Sequence, residues 1–447
     1  MSIAKKFERF FKGFLPAPFT IAILLTFITF ILALLTTKPK SEGSHLLQLL
    51  QFWEQGVWHS PLLVFSMQMM LMLVLGHTLA LSKPINILIK KGIKHCNNTA
   101  KSAAIITFFT LLVSFFNWGL GLIFGAIFAR KVGEQASKKG IKINYPLIGA
   151  AGYSGLMVWH GGISGSAPIK IAEEGHFLAN KIGVISQEET IFSTMNISVS
   201  IVLLITLPLL MYYLGKKNTD IILNLKSEKI LESKSISGAE KLDHSKIIAY
   251  ITGGIILIYA FYKAFILTED ISLKVINPNY INLVLLGLAI VMHNNFFSFL
   301  KGVDNAISGA SGILIQFPLY FGIMGIMNHS GMAQMMSGFF VSISNETTLP
   351  IFTFISAGIV NIFVPSGGGQ WAIQGPIIVN AATQLGVSIP KSVMALAYGD
   401  QLTNMLQPFW ALPLLGITGL KAKEILPYTL LLLVVGIIIF ITALLLF

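Results

Sequence analysis

Two glycine-rich stretches carry residue types that could do chemistry at membrane depth. GGISGSAP, Gly161 to Pro168, offers Ser164, Gly165 and Ser166, and VPSGGGQWAIQGP, Val364 to Pro376, offers Ser366, Gly367, Gly368 and Gly369. Three consecutive glycines between two prolines argue against a continuous helix, although apolar sequence flanks them on both sides. Free N–H groups and the positive ends of helix dipoles at such breaks can hold a carboxylate without lysine or arginine. Glycine also lets backbone approach an anion and tolerates a positive φ, which a branched residue does not. The bland alternative is helix packing through small residues. In lipid, exposed backbone is tolerated only when buried in protein or lining a cavity, which is how transporter sites are built.

A second set suits a cation. Asn117 and Asn361 fall at matching positions of two expected hairpins, and Thr403 and Asn404 lie in YGDQLTNMLQP, Tyr398 to Pro408. Amide, hydroxyl and carbonyl oxygens suit Na⁺. Their alternative is interhelical hydrogen bonding. Asp400 is the one acid well inside an expected span, and an intramembrane ionisable residue is a functional candidate by default. It can help hold sodium, carry a proton, or merely cap a half-helix. Gln401, Thr403 and Asn404 within one turn tilt the reading toward sodium. His77 and His329 sit near span ends, as interfacial anchors, and His160 and His293 have weaker claims. The only arginines, Arg9 and Arg130, lie outside the spans, so no bidentate clamp forms in the membrane. No spacing suits a zinc site, a catalytic triad or a P-loop, which argues against an enzyme or an ATP-driven pump and for no cofactor beyond a coupling Na⁺ or H⁺.

These residues must be positioned by membrane helices. With 447 residues, 54% hydrophobic and 11% charged, the chain reads as an all-α polytopic membrane protein. The net charge of +12 sits in short lysine clusters between apolar runs, which speaks for cytoplasmic loops and against nucleic acid. The single cysteine, Cys96, excludes an intramolecular disulfide. The basic N-terminus reads as an uncleaved cytoplasmic lead-in.

Spans are expected at residues 19–35, 61–81, 191–214, 247–267, 281–300, 306–327 and 428–447, with a polar segment carrying Lys38, Glu42 and His45 after the first. The run 103–129 is flanked by basic loops on both sides, so it reads as a re-entrant hairpin with its tip at FNWGLG, Phe116 to Gly121. A second hairpin spans 349–376. Broken helices are expected at 145–169 and 393–415, and HSGMAQMMSGFFVSISNE, His329 to Glu346, is expected at the interface. Glu173, Glu174, Glu188 and Glu189 against Lys170 and Lys181 mark an outer loop.

Phe65 and His77 match Phe317 and His329 at an offset of 252, Asn117 and Pro146 match Asn361 and Pro390 at 244, and Tyr153 and Pro168 match Tyr398 and Pro413 at 245. Residues 1–214 then form a first repeat, 215–246 a cytoplasmic linker, and 247–447 an extra helix plus a second repeat. The extra helix starts the second repeat from the opposite side. That is an inverted-topology repeat with two re-entrant hairpins and two broken transmembrane helices, the architecture of secondary transporters.

Along FNWGLGLIFGAIFAR (Phe116 to Arg130), GGISGSAP, VPSGGGQWAIQGP and KSVMALAYGDQLTNMLQPFWALP (Lys391 to Pro413), the sequence resembles the bacterial short-chain fatty acid transporters of the acetoacetate and butyrate uptake type, in the ion transporter superfamily. The resemblance covers essentially the whole chain. It implies uptake of small monocarboxylates across the bacterial inner membrane, coupled to a cation, with hairpin tips and broken helices lining the site. The family pattern often has Glu where Asp400 stands, and the position of Gln370 varies. A dicarboxylate or other small organic anion is the alternative cargo, though it needs a second anion-holding pole. A homodimer is left open.

Overall fold

The computed structural model describes residues 18–40, 42–217, 238–267, 273–364 and 366–447; the lead-in before Pro18 and residues 218–237 of the expected linker lie outside the described residues. All regular elements there are helical. The first repeat comprises α1 (Pro18–Thr36), α2 (His45–Val57), α3 (Ser60–Ala80), α4 (Lys83–Ile93), α5 (Thr99–Phe116), α6 (Trp118–Lys139), α7 (Tyr145–Tyr153), α8 (Ser166–Ile171) and α9 (Thr194–Lys217). After α10 (Lys246–Phe265) the series recurs in the same order. It runs through α11 (Pro278–His293), α12 (Phe296–Ile307), α13 (Ser311–Ser330), α14 (Met332–Ile343), α15 (Thr348–Phe363), α16 (Gly367–Leu385), α17 (Ile389–Thr403), α18 (Pro408–Thr418) and α19 (Ala422–Leu446). Seven helices among the described residues are long and apolar enough to cross a membrane, while α11 and the halves of the broken helices are shorter.

Matching local chemistry starts and stops matching elements. Asn144 and Ser388 cap α7 and α17 by accepting from Leu147 N and Lys391 N, each followed by a proline in the first turn. Gly140 and Gly386 end α6 and α16 at φ 64° and 69°. The next residue then donates back into each last turn, Ile141 N to Ala136 O and Val387 N to Ala382 O, both at 2.9 Å.

Both hairpins fold back as expected, with longer arms. Asn144 N donates to Thr99 Oγ1 at 2.9 Å, so the start of α5 and the chain that follows α6 lie together, away from the tip. Leu349 packs with Ala381, Ala382 and Val387 at the outer ends of α15 and α16. The second arm does not end at Pro376, which lies inside α16; the three glycines form the first turn of that helix instead of a break. Ser366 caps them by accepting from Gly369 N at 3.3 Å, and first-turn N–H groups have no intrahelical partner to lose.

The first broken helix opens earlier than its glycines suggest. A 3-10 turn, Ser154–Met157, follows α7, residues 158–165 are irregular, and Pro168 lies in α8. The second break is narrow, confined to the turn Asn404–Leu406 and Gln407. Tyr398 to Thr403 therefore stay helical, and Asp400 caps nothing. α4 forms within the expected basic loop. Two further helices depart from expectation: α2 follows the polar segment, and α12 takes the end of the expected span 281–300. They are equivalent elements and pack reciprocally, α2 on α13 and α12 on α3, as α1 packs on α13 and α11 on α3. Phe65 and Phe317, equivalent residues, meet with ring centroids 6.3 Å apart and planes tilted by 45°.

Candidate functional site

Each hairpin tip docks onto the break of its own repeat. In the first, Ser164 Oγ accepts from Trp118 N at 3.0 Å and Phe115 O accepts from Ile163 N at 2.7 Å. Asn117 caps α6 by accepting from Leu120 N at 2.8 Å. In the second, Asn361 Nδ2 donates toward Asp400 O at 2.7 Å and toward Thr403 Oγ1 and Asn404 Oδ1, both at 2.9 Å. Gln407 Nε2 closes the group by donating to Asn361 O.

The two breaks are then tied to each other. Halves of opposite repeats lie side by side, α7 with α18 and α8 with α17. Tyr153 OH donates to Asn404 O at 2.8 Å, and Gln401 Oε1 accepts from His160 N and Gly161 N at 3.0 and 3.1 Å. Tyr398 OH, the equivalent of Tyr153, donates to Asn196 Oδ1 at 3.0 Å.

The expected cation residues are therefore split. Asn361, Thr403 and Asn404 meet around the main-chain oxygen of Asp400, whereas the Asp400 carboxylate turns to the first break, its Oδ2 2.6 Å from His160 Nδ1 with both side chains fully buried. Asn117 belongs to the other tip and shares no hydrogen bond with the group. The expected substrate residues are also divided. Ser164 faces hairpin one, Ser166 opens α8, and Gly367, Gly368 and Gly369 face aromatic rings. A Cβ at Gly367 would lie 2.7 Å from both His160 and Trp159, one at Gly368 2.9 Å from Phe317 and 3.0 Å from Phe65, and one at Gly369 2.6 Å from Tyr320. Gly165 serves a backbone approach, its Cβ position lying 2.0 Å from His160 O. None of these four glycines has a positive φ, so close approach and not handedness requires them.

Polar atoms remain at this centre after the protein's own bonds are made. Among the described residues, Asp400 Oδ1, Asn361 Oδ1, Asn404 Nδ2, Gln407 Oε1 and Asn117 Nδ2 are buried without a hydrogen-bond partner. Each such group costs about 1–3 kcal/mol, and four of the five belong to residues bonded to one another, Asp400, Asn361, Asn404 and Gln407.

Two buried residues ranked low in the sequence reading. His160 had only a weak claim, and the first break holds it fully buried. Lys170, expected in the outer loop, lies in α8 at 2% exposure, paired with Glu173, donating to Gln68 Oε1 at 3.3 Å and 5.2 Å from the centre of the Phe65 ring. Arg130 stays clear of the site as expected. It binds Glu134 at 3.0 Å and Thr418 O at 3.4 Å, at the last turn of α18.

The chain is similar to known proteins along its whole length. The short chain fatty acid transporter family model matches residues 1–447. A protein of Escherichia coli named "putative short-chain fatty acid transporter" is 34% identical over 453 residues, covering 100% of this chain and 99% of its own. One of the same name from Haemophilus influenzae is 36% identical over 441 residues, covering 95% of each. The crystal structure of the Alcanivorax borkumensis YdaH transporter, described as having an unusual topology, superposes with a TM-score of 0.59 over 96% of this chain and 98% of its own, at 13% identity, a likeness of fold alone. These relatives, with the multi-pass helical fold, make this a membrane transporter. The chain belongs to the short-chain fatty acid transporter family.

Proposed function

We propose that this protein is a secondary carrier, not an enzyme, which takes up short-chain fatty acids such as acetoacetate and butyrate across the bacterial inner membrane, with the N-terminus cytoplasmic. Uptake is symport with a cation, and the cargo makes it a form of lipid transport. The observation that carries this reading is the meeting of two breaks and two hairpin tips around buried polar atoms without partners. We assign the carboxylate to the region of Ser164, Gly165, Ser166, Ser366 and Gly367 to Gly369. The cation falls to the region of Asn117, Asn361, Asp400, Thr403 and Asn404. The apolar rings of Phe65 and Phe317 beside Gly368 suit a short alkyl chain.

A monocarboxylate that binds the folded carrier stabilises it by RT ln(1 + [L]/Kd), about 2.7 kcal/mol at a hundredfold excess over Kd. Thermal unfolding of the detergent-solubilised protein with butyrate or succinate tests the cargo class. Butyrate should raise the midpoint and succinate should not. The reverse would make the protein a dicarboxylate carrier.

A further inference from the structure

We propose that His160 and Asp400 form a proton-binding site, loading a second proton on His160 Nε2 as the carboxylate binds. This rests on the carrier reading above and names its coupling ion. His160 Nε2 accepts from Ala167 N at 3.1 Å, and a backbone N–H can only donate, so Nε2 carries no proton. The imidazole proton is on Nδ1, donated to Asp400 Oδ2 at 2.6 Å. In the unloaded state of the proposed site Asp400 is ionised, so that the pair holds one proton with a net charge of −1.

Among the described residues no cation balances that charge. The remaining oxygen, Asp400 Oδ1, is buried and unpartnered among the described residues. The other titratable groups on the elements packed around the break are engaged elsewhere. Tyr398 OH donates to Asn196 and Tyr153 OH to Asn404 O, while Lys170, three residues beyond Ala167, is held by Glu173. Three of the oxygens that would suit sodium, Thr403 Oγ1, Asn404 Oδ1 and Asp400 O, face the Asn361 amide nitrogen.

A proton added at Nε2 makes an imidazolium with two N–H groups, leaves the carboxylate ionised and brings the pair to neutrality. Two consequences follow. A carboxylate held at the tip of hairpin two, whose Gly367 packs directly against the imidazole, meets a negative pair before loading and a neutral one after. Anion and proton then favour each other's binding reciprocally. The new Nε2–H also opposes Ala167 N–H, so loading displaces the first turn of α8 and links the proton to the geometry of the break.

The test uses the wild-type protein in sodium-free proteoliposomes, with protein-free vesicles giving the baseline for permeation of undissociated acid. Counterflow of labelled butyrate without any gradient checks the carrier reading by itself. Making the outside one pH unit more acid than the inside should raise the protein-dependent initial rate, up to about tenfold for one proton per carboxylate. An inward sodium gradient should leave it unchanged. His160→Gln should abolish the pH response. Should that variant not fold, ¹⁵N spectra of histidine-labelled wild type carry the same test: one Nε2 bare at pH 8 should become protonated when butyrate is added at pH 6. Counterflow driven by sodium and indifferent to pH, or an Nε2 that stays bare with butyrate bound, overturns the proton site while the carrier stands.

Discussion

His160 and Asp400 come from different repeats, 240 residues apart, and their side chains meet at 2.6 Å in the interior. Neither has an equivalent in the other repeat: an offset of 245 puts Gly155 opposite Asp400 and Met405 opposite His160. The frame of this molecule is two-fold, and the buried His160–Asp400 pair at its centre is asymmetric. Symmetry supplies the breaks and tips, and the departure from symmetry supplies the polarity between them.

The glycines of the two breaks separate by what they touch. A Cβ at Gly165 would meet main chain at 2.0 Å, which no rotamer change relieves, whereas one at Gly368 meets ring edges at 2.9 and 3.0 Å. Gly165→Ala should lower folded yield and thermal stability, by more than the about 1–3 kcal/mol usual for overpacking. Gly368→Ala should fold and lose uptake, and Phe317→Leu in the same chain should restore part of it. A Gly368→Ala protein with normal uptake would reduce that glycine to packing.

Tyr153 and Tyr398 each donate one bond across the centre, to Asn404 O and Asn196 Oδ1. Replacing either with Phe should cost about 0.5–1.5 kcal/mol, and the double variant should cost roughly the sum, since the two bonds share no partner. Denaturation in detergent reads this directly. A double variant far below the sum of the singles would show that the two bonds act as one unit.

Lys170→Met takes the cation from Glu173, which keeps the amide donors of Gln68 and Asn279, and should cost about 1.5–3 kcal/mol. Adding Glu173→Gln removes the stranded charge and should recover most of the loss. Thermal midpoints of the two variants decide it; no recovery would mean that the lysine acts through something other than this pair.

Cysteine labelling gives the sidedness. Burial pushes the Cys96 thiol up to about 11, so at pH 7 almost none is thiolate, and the native residue should react slowly until the pH approaches that value. Against that low background, cysteines at the exposed Lys90 and Lys138 should be labelled from one side and one at Glu188 from the other. Opposite sidedness of Lys90 and Lys138 would falsify the first hairpin.

Much of the frame was legible because breaks have a chemical signature. Asn117, the prolines at 146 and 390, and the tyrosines at 153 and 398 fixed the repeat and its register. The amphipathic helices α2 and α12 were not legible. Twelve or thirteen residues of mixed polarity read as a loop after one span and as the tail of another. The triple glycine misled in detail, because glycine permits a break without requiring one, and Ser366 turns it into a capped first turn. The pairing of His160 with Asp400 was invisible for a different reason. It depends on how two distant breaks face each other, and no local spacing encodes that.

The central claim is that the two breaks and tips form one carrier site for a short monocarboxylate. Counterflow in proteoliposomes tests it most directly: vesicles preloaded with unlabelled butyrate should transiently concentrate labelled butyrate from outside, and acetoacetate inside should substitute while succinate should not. Labelled butyrate that enters no faster than into protein-free vesicles, whatever is preloaded, would contradict the account.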